Sequence, residues 1–161
     1  MKGLKIRKIQ KKDLNKLSDV YDEVYKHFDV GERWTKKSAY KMLEYWLKRD
    51  PDLAFLAEYD GKIVGGFVVG VKPWWDGNHL VDGEIFVHPD YQKRKIGTEL
   101  LKFVSKYSLK KYNVVRFDSY TVRNKYPVKW YKSIGFREIT EWIMISTDLR
   151  KMLNKLDKKR K

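Results

Sequence analysis

The chain has 161 residues, enough for one domain with its own hydrophobic core, and it contains no cysteine, which excludes disulfides, thiolate metal sites and cysteine nucleophiles. Lys and Arg outnumber Asp and Glu by 36 to 21, which indicates a polyanionic ligand or partner. The longest apolar run, residues 63–71, is too short to span a bilayer, and no signal-peptide pattern follows Met1. We therefore expect a cytoplasmic protein that makes no membrane contact.

The first half of the sequence predicts a strand, two helices and a hairpin. Leu4, Ile6 and Ile9 nearly alternate, as in a strand, and residues 14–28 then carry apolar side chains at helical spacing. Thr35 is a candidate N-cap for a second amphipathic helix, which Pro51 ends. Asp60 and Gly61 separate two apolar runs and predict a two-residue hairpin turn.

The second half predicts three further strand regions and two further helices. A strand is expected over residues 80–87, a helix from about Ile96, and a strand over residues 113–120. A short helix over residues 127–133 is stopped by Gly135, and residues 136–149 are expected to supply one or two closing strands. The order β-α-α-β-β-β-α-β-α-β favours an α/β (α+β) single domain. We expect a mixed, mainly antiparallel twisted sheet with helices on both faces.

The excess positive charge lies mostly at the two ends of the chain. Residues 1–12 contain six basic and no acidic side chains, and residues 150–161 contain seven basic side chains against one acidic. Two interpretations stay open: a solvated surface with a frayed tail, or a patch that contacts nucleic acid. We predict a domain over residues 1–149 and a basic C-terminal tail over residues 150–161.

Two motifs lie in the second half of the chain. Residues 87–91 read VHPDY and residues 92–97 read QKRKIG, directly before the predicted helix. They resemble the V-x-P-x-Y approach and the Q/R-x-x-G-x-G/A pyrophosphate loop of the GNAT N-acetyltransferases. Residues 124–136, NKYPVKWYKSIGF, are similar to the family's N-x-x-A-x-x-x-Y-x-x-x-G-F, with Pro127 replacing the alanine. Because both motifs occur in the family's order and element context, the sequence is identified as a member of that family.

The resemblance implies an acetyltransferase that takes its acetyl group from acetyl-CoA, uses no metal, and passes the group directly to a primary amine. Amides converging at a helix N-terminus would bind the diphosphate. Tyr131 is expected to act as general acid at the departing sulfur. Lys93 and Arg94 are expected to neutralise the phosphates. The expected cofactor contacts are Ile85, Phe86, Val87, Gln92, Lys93, Arg94, Lys95, Ile96, Gly97, Thr98, Asn124 and Tyr131.

Lys95 departs from the family pattern, because it stands where the family has its first loop glycine. A lysine can still present its amide there if its backbone stays in the right-handed or bridge region, and its ammonium would then add charge near the diphosphate.

The catalytic base is predicted to be a carboxylate. Asp82 and Glu84 are two residues apart on a predicted central strand, so both should face one side of it. A carboxylate there is costly unless it is paired, hydrogen-bonded or functional. Glu84 is the first candidate, through water, and Asp82 is the second. A structural ion pair with a neighbouring Lys or Arg is the alternative for Glu84.

The acceptor side is less defined by the sequence. Trp74 and Trp75 are candidate substrate-binding residues, either stacking on a substrate or caging an ammonium, or alternatively an edge or dimer contact. His27, His79 and His88 have no metal-ligand spacing, and His27 and His79 look isolated.

The acceptor is therefore open: a protein N-terminus, a lysine or a small amine. The protein is expected to be a monomer or homodimer. The alternative function is a non-catalytic GNAT-fold module that binds nucleic acid or acyl-CoA through the basic termini.

Overall fold

The structure is a computed structural model that describes residues 1–28 and 30–158, in two compact units. The first unit is Met1–Tyr120, and the second runs from Thr121 onward. The first unit contains the strands β1 (Leu4–Lys8), β2 (Ala54–Tyr59), β3 (Lys62–Trp74), β4 (Gly77–Val87) and β5 (Val114–Asp118). Its helices are α1 (Leu14–His27), α2 (Lys36–Arg49) and α3 (Ile96–Tyr112).

The sheet follows the chain, with the order β1-β2-β3-β4-β5. The first three pairings are antiparallel and β4 pairs with β5 in parallel, so the predicted mixed, mainly antiparallel sheet is confirmed. Asp60 and Gly61 have φ of 48° and 78°, which confirms the two-residue hairpin between β2 and β3. The pairing of β4 with β5 covers only Asn78 to Val81. The rest of β4 therefore continues past the end of β5.

Helices cover both faces of the sheet, as predicted. On one face, α1 and α2 form the main core with Leu56, Val68 and Phe86. The Thr35 hydroxyl accepts from the Ser38 amide, so the predicted cap of α2 is confirmed. On the other face, Phe55 packs at 5.3 Å from both the Phe103 and Tyr107 rings of α3. Successive residues of β2, such as Phe55 and Leu56, thus point to opposite helical layers.

The second unit contains α4 (Tyr126–Ser133), as predicted, and α5 (Leu149–Lys158). The predicted closing strands over residues 136–149 are wrong, because the described residues beyond Asp118 contain no strand. Trp142, Ile143, Met144 and Ile145 are instead exposed. A strand forms only when its backbone pairs with a neighbour, and local alternation does not supply that neighbour.

The C-terminal segment is helical through Lys158, where a frayed tail was expected. Residues 159–161 of the predicted tail lie outside the described residues. The division at residue 149 stays a prediction. No helix in the described part of the chain is both long and apolar enough to cross a membrane.

Candidate functional site

The loop between β4 and α3 is fastened to the end of β4. The Gln92 side-chain amide donates to the Val87 carbonyl at 2.9 Å. The Arg94 guanidinium lies over the Tyr91 ring, 5.2 Å from its centroid. Gln92 therefore holds the loop in place, whereas the basic residues 93–95 are exposed.

Lys95 adopts a conformation that the sequence analysis did not predict. Its φ of 62° and ψ of 7° are left-handed, so the condition of a right-handed or bridge backbone is not met. Lys93 is also left-handed, with φ of 59°. This conformation is destabilised in an L-residue by its Cβ. Glycine has no Cβ, which explains why a glycine suits this position. Left-handed residues in such loops turn amides toward one side and form anion-binding concavities.

The N-terminus of α3 leaves room for a ligand. A Cβ added to Gly97 would meet only the Val87 Cγ2 atom at 3.7 Å, an ordinary contact. Packing within the protein therefore does not require a glycine at this position, whereas close approach of a ligand to the helix N-terminus would. The Ile96 and Gly97 amides, in the first turn, have no acceptor within the helix. Together with the helix dipole, they fit a diphosphate group.

The last residues of β4 offer an unpaired edge beside this loop. Val81, opposite Asp118, is the last β4 residue that pairs with β5 in the described chain. Phe86 is buried, with its ring edge-on to Tyr21 at 5.0 Å. The backbone groups of Ile85, Phe86 and Val87 on the β5 side are thus placed to bond an extended ligand arm.

A bulge in β4 separates the two candidate bases. Opposite the single residue Val69 of β3, β4 has both Asp82 and Gly83. Asp82 has φ of 56° and is exposed. A Cβ on Gly83 would lie 2.9 Å from the Phe67 ring. Because the bulge breaks the two-residue alternation, the spacing no longer fixes the relative directions of Asp82 and Glu84.

Glu84 lies against α1. Its Oε2 accepts a hydrogen bond from the Tyr25 hydroxyl at 3.1 Å and a longer one from Tyr21 at 3.5 Å. Burial raises the pKa of Glu84, the two tyrosine bonds lower it, and the Glu32 charge raises it, with a net rise. Neutral hydroxyls, rather than the ion pair considered above, hold Glu84 within the described chain. A desolvated carboxylate with a raised pKa suits a general base.

Sequence reasoning missed the residues around Glu84. Tyr21 and Tyr25 stack with ring centroids 4.6 Å apart, and their four-residue spacing was visible in the sequence. Their contact with Glu84 was not visible in the sequence, because it depends on how α1 packs across β4.

His79 was predicted to be isolated, and this is wrong. It is buried, with Nδ1 2.5 Å from Asp118 Oδ2 and Nε2 2.7 Å from Asp76 Oδ1. Arg116 Nε donates to the other Asp76 oxygen at 2.8 Å. Desolvation lowers the pKa of His79, but the two carboxylates raise it by more, so the net effect is a raised pKa. The described residues contain no group of metal-ligating side chains.

The remaining candidates lie elsewhere. Trp74 and Trp75 are at the turn between β3 and β4, about 20 Å along the strand from Glu84 by the rise per residue, so their substrate role stays a prediction. Asn124 and Tyr131 belong to the second unit. Tyr131 is buried there between Trp130 and Phe136, with centroid distances of 4.9 and 4.8 Å. The predicted roles of Asn124 and Tyr131 at the cofactor stay predictions.

Comparisons with known proteins show which family and which fold the chain resembles. The family model for the acetyltransferase (GNAT) family matches residues 14–136. An uncharacterized N-acetyltransferase of Methanocaldococcus jannaschii is 33% identical over 142 residues, which cover 86% of this chain and 62% of that protein. The chain thus spans less than two thirds of this relative's length.

Solved structures share the fold. A possible acetyltransferase from Clostridium difficile matches with a TM-score of 0.73 at 17% identity, covering 90% of this chain and 97% of that one. A predicted acetyltransferase from Clostridium acetobutylicum, solved with acetyl-CoA, matches with a TM-score of 0.69 at 18% identity. The match covers 89% of this chain and 96% of that one. At these identities the likeness supports the fold alone.

Proposed function

The chain belongs to the acetyltransferase (GNAT) family, and from this premise we propose that it transfers an acetyl group from acetyl-CoA directly to a primary amine. The observation that carries the proposal is the junction of β4, the basic loop and α3. Left-handed Lys93 and Lys95, the open space above Gly97 and the first-turn amides of α3 together fit a diphosphate. Acetyl-CoA supplies an activated thioester when bound.

The protein's own part in the reaction begins with positioning. The exposed Lys93, Arg94 and Lys95 side chains would supply positive charge to the diphosphate. The edge of β4 beyond its pairing with β5 would bind the arm that leads to the thioester. An acceptor held next to this edge is presented to the thioester in one orientation, which lowers the entropic part of the barrier.

Glu84 is the proposed base. A free alkylamine is protonated at neutral pH, with a pKa of about 10.4, and must lose a proton to attack. Glu84 takes that proton, directly or through water. The amine nitrogen would form the new bond to the acetyl carbon and give up its second proton as the amide forms, which replaces the proton that the sulfur takes up. The carbon–sulfur bond would break, and the sulfur would leave as thiolate and accept a proton. Tyr131 is proposed as the donor of that proton.

Turnover of acetyl-CoA against a panel of amines tests the function. The panel contains amino acids, peptides with free N-termini, lysine derivatives and small mono- and diamines, and free thiol is measured. Amine-dependent thiol release, with an acetylated product found by mass spectrometry, supports the proposal. Melting-temperature shifts with acetyl-CoA, CoA and ATP give a second readout, because a ligand of the native state stabilises it. Absence of a shift with both CoA species would overturn the assignment of residues 92–98.

The substitution Glu84→Gln tests the base. It keeps an oxygen that accepts from Tyr25, so the fold should be retained. We expect kcat to fall about 10²–10⁴-fold, with acetyl-CoA binding unchanged. In the wild type, kcat/KM should fall as the pH is lowered through the raised pKa of Glu84, since the base must be ionised, and the variant should lose this dependence. Unchanged kcat would remove Glu84 from the mechanism.

A further inference from the structure

The segment between α1 and α2 brings a second carboxylate toward Glu84. The Trp34 Nε1 atom donates to Glu32 Oε2 at 2.7 Å. The Trp34 ring packs edge-on to Tyr21 at 5.1 Å and at a tilt to Tyr25 at 5.9 Å. The Tyr25 hydroxyl in turn donates to Glu84 at 3.1 Å. Glu32 and Glu84 are therefore joined by one continuous aromatic wall.

The two carboxylates share an electrostatic environment. After burial, the charge of Glu84 and then that of Glu32 contribute to the raised pKa of Tyr25. Tyr120, at the end of the first unit, is largely exposed, and its pKa is raised by partial desolvation and then by the charges of Glu84, Asp82 and Glu32. The donors that hold Glu32 and Glu84 are neutral N–H and O–H groups.

This negative region stands in a protein with a formal net charge of +15. Mutual repulsion between nearby carboxylates is relieved when a cation binds between them. Aromatic rings next to a carboxylate also suit an ammonium, which gains from the ring face while the carboxylate takes its N–H groups. The combination favours a cationic acceptor over a neutral or anionic one.

We propose that Glu32 is a specificity-determining residue that selects acceptors carrying a second positive charge beside the reacting amine. The proposal rests on the proposed function and deepens it. The reacting amine lies at Glu84, and the second ammonium lies along the Tyr25 and Trp34 rings at Glu32. A small diamine and a peptide with a basic side chain next to its free amine offer the same chemistry.

The test compares acceptors that differ only in the second charge. Putrescine is paired with butylamine, cadaverine with pentylamine, and a lysine-containing dipeptide amide with its norleucine analogue. We expect kcat/KM to be about tenfold higher for the charged member of at least one pair. In Glu32→Gln this preference should shrink about two- to fivefold, the range for an exposed charge pair, because the charged member of each pair loses more kcat/KM than the uncharged member. The pair that shows the preference tells whether the acceptor is a small diamine or a peptide.

The matched control is Glu23→Gln, which makes the same change in net charge. Glu23 lies midway between Tyr21 and Tyr25 along α1, so it projects away from the face they form, and it contacts Lys26 and His27. The preference of the Glu23→Gln variant for the charged acceptor should equal that of the wild type. Equal kcat/KM within all three pairs, or equal loss in both variants, would overturn the proposal while leaving the acetyltransferase function intact.

A binding measurement keeps the inference testable if no amine is acetylated. Melting temperatures are then measured with CoA present and with putrescine or butylamine added. A larger shift with putrescine, lost in Glu32→Gln, supports the proposed selection. Equal shifts overturn it, whereas absence of turnover counts only against the proposed function.

Discussion

Lys95 carries a backbone strain that the sequence alone did not predict. At φ of 62° its Cβ crowds the following carbonyl, a cost of about 1–2 kcal/mol that glycine does not pay. The strain lies in the loop that is proposed to hold the diphosphate. Its position there indicates that the direction of the amides is worth more to this loop than the local conformational energy.

The first prediction concerns Lys95→Gly. We expect the free energy of unfolding to rise by about 1 kcal/mol, which corresponds to a melting temperature about 2–4 °C higher. CoA binding should equal or exceed that of the wild type, and Lys95→Glu should bind more weakly because of its charge. Lys102→Gly, on the exposed side of α3, is the control and should destabilise by about 1 kcal/mol. Equal weakening of CoA binding by both Lys95 variants would show that the ammonium itself is a ligand.

Tyr131 is tested by removing its hydroxyl. The ring is buried against Trp130 and Phe136, and Tyr131→Phe keeps that packing. If the hydroxyl is the general acid, kcat should fall about 10²–10⁴-fold with little change in acetyl-CoA binding. Turnover and melting temperature are measured on one preparation. Wild-type turnover with a lowered melting temperature would assign the hydroxyl to structure alone.

At the scale of elements, the pairing of β4 with β5 decides where the unpaired edge of β4 begins. Asp118 is the last residue of β5, and His79 of β4 bonds to it directly. Asp76, in the turn that precedes β4, bonds to His79 and also accepts from Arg116 of β5. The cluster therefore fastens the two strands together at the point just before β4 continues alone.

Protonation of His79 should make the stability depend on pH. The pKa of His79 is raised in the folded protein above its ordinary value of about 6.5. The stabilisation is therefore complete below about pH 6.5 and is lost as the pH rises through the raised folded pKa. Asp76, Asp118, Arg116 and the Trp74 ring are the groups that face His79.

The substitution His79→Gln should lower the melting temperature at pH 6 and flatten its decline toward pH 9. His27→Gln, at an exposed position, is the control and should retain the wild-type profile. Melting temperatures across this range check both variants. An unchanged profile in His79→Gln would show that the titration of His79 does not cause the decline.

At the scale of the whole molecule, the positive charge is distributed unevenly. The proposed diphosphate loop and the two chain ends are basic, whereas the surroundings of Glu84 are acidic. The helix α5 carries exposed Leu149, Leu153 and Leu156 with basic neighbours. Contact of the basic ends with nucleic acid, one of the two interpretations that the sequence left open, is not tested by the structure.

Deletion of residues 150–161 separates the basic end from the cofactor loop. We expect acetyl-CoA binding to be unchanged, since β4, the loop and α3 belong to the first unit. Any retention on nucleic acid should weaken and show a shallower dependence on salt, because fewer phosphate contacts release fewer counterions. Binding assays at several salt concentrations measure both. Loss of acetyl-CoA binding on deletion would show that this segment supports the site.

The sequence by itself determined the succession of elements as far as α4, the hairpin at Asp60 and Gly61, and the place of the basic loop between β4 and α3. Each depends on side-chain periodicity or on turn and cap residues within a few positions, which a sequence displays directly. Only the tertiary structure decided that Glu84 meets Tyr25, that His79 lies between Asp76 and Asp118, and that residues 136–149 lack strand pairing. These outcomes depend on which surfaces pack together over long separations in the chain. The energy of a buried carboxylate or an unpaired strand is set by those partners and not by its own residues.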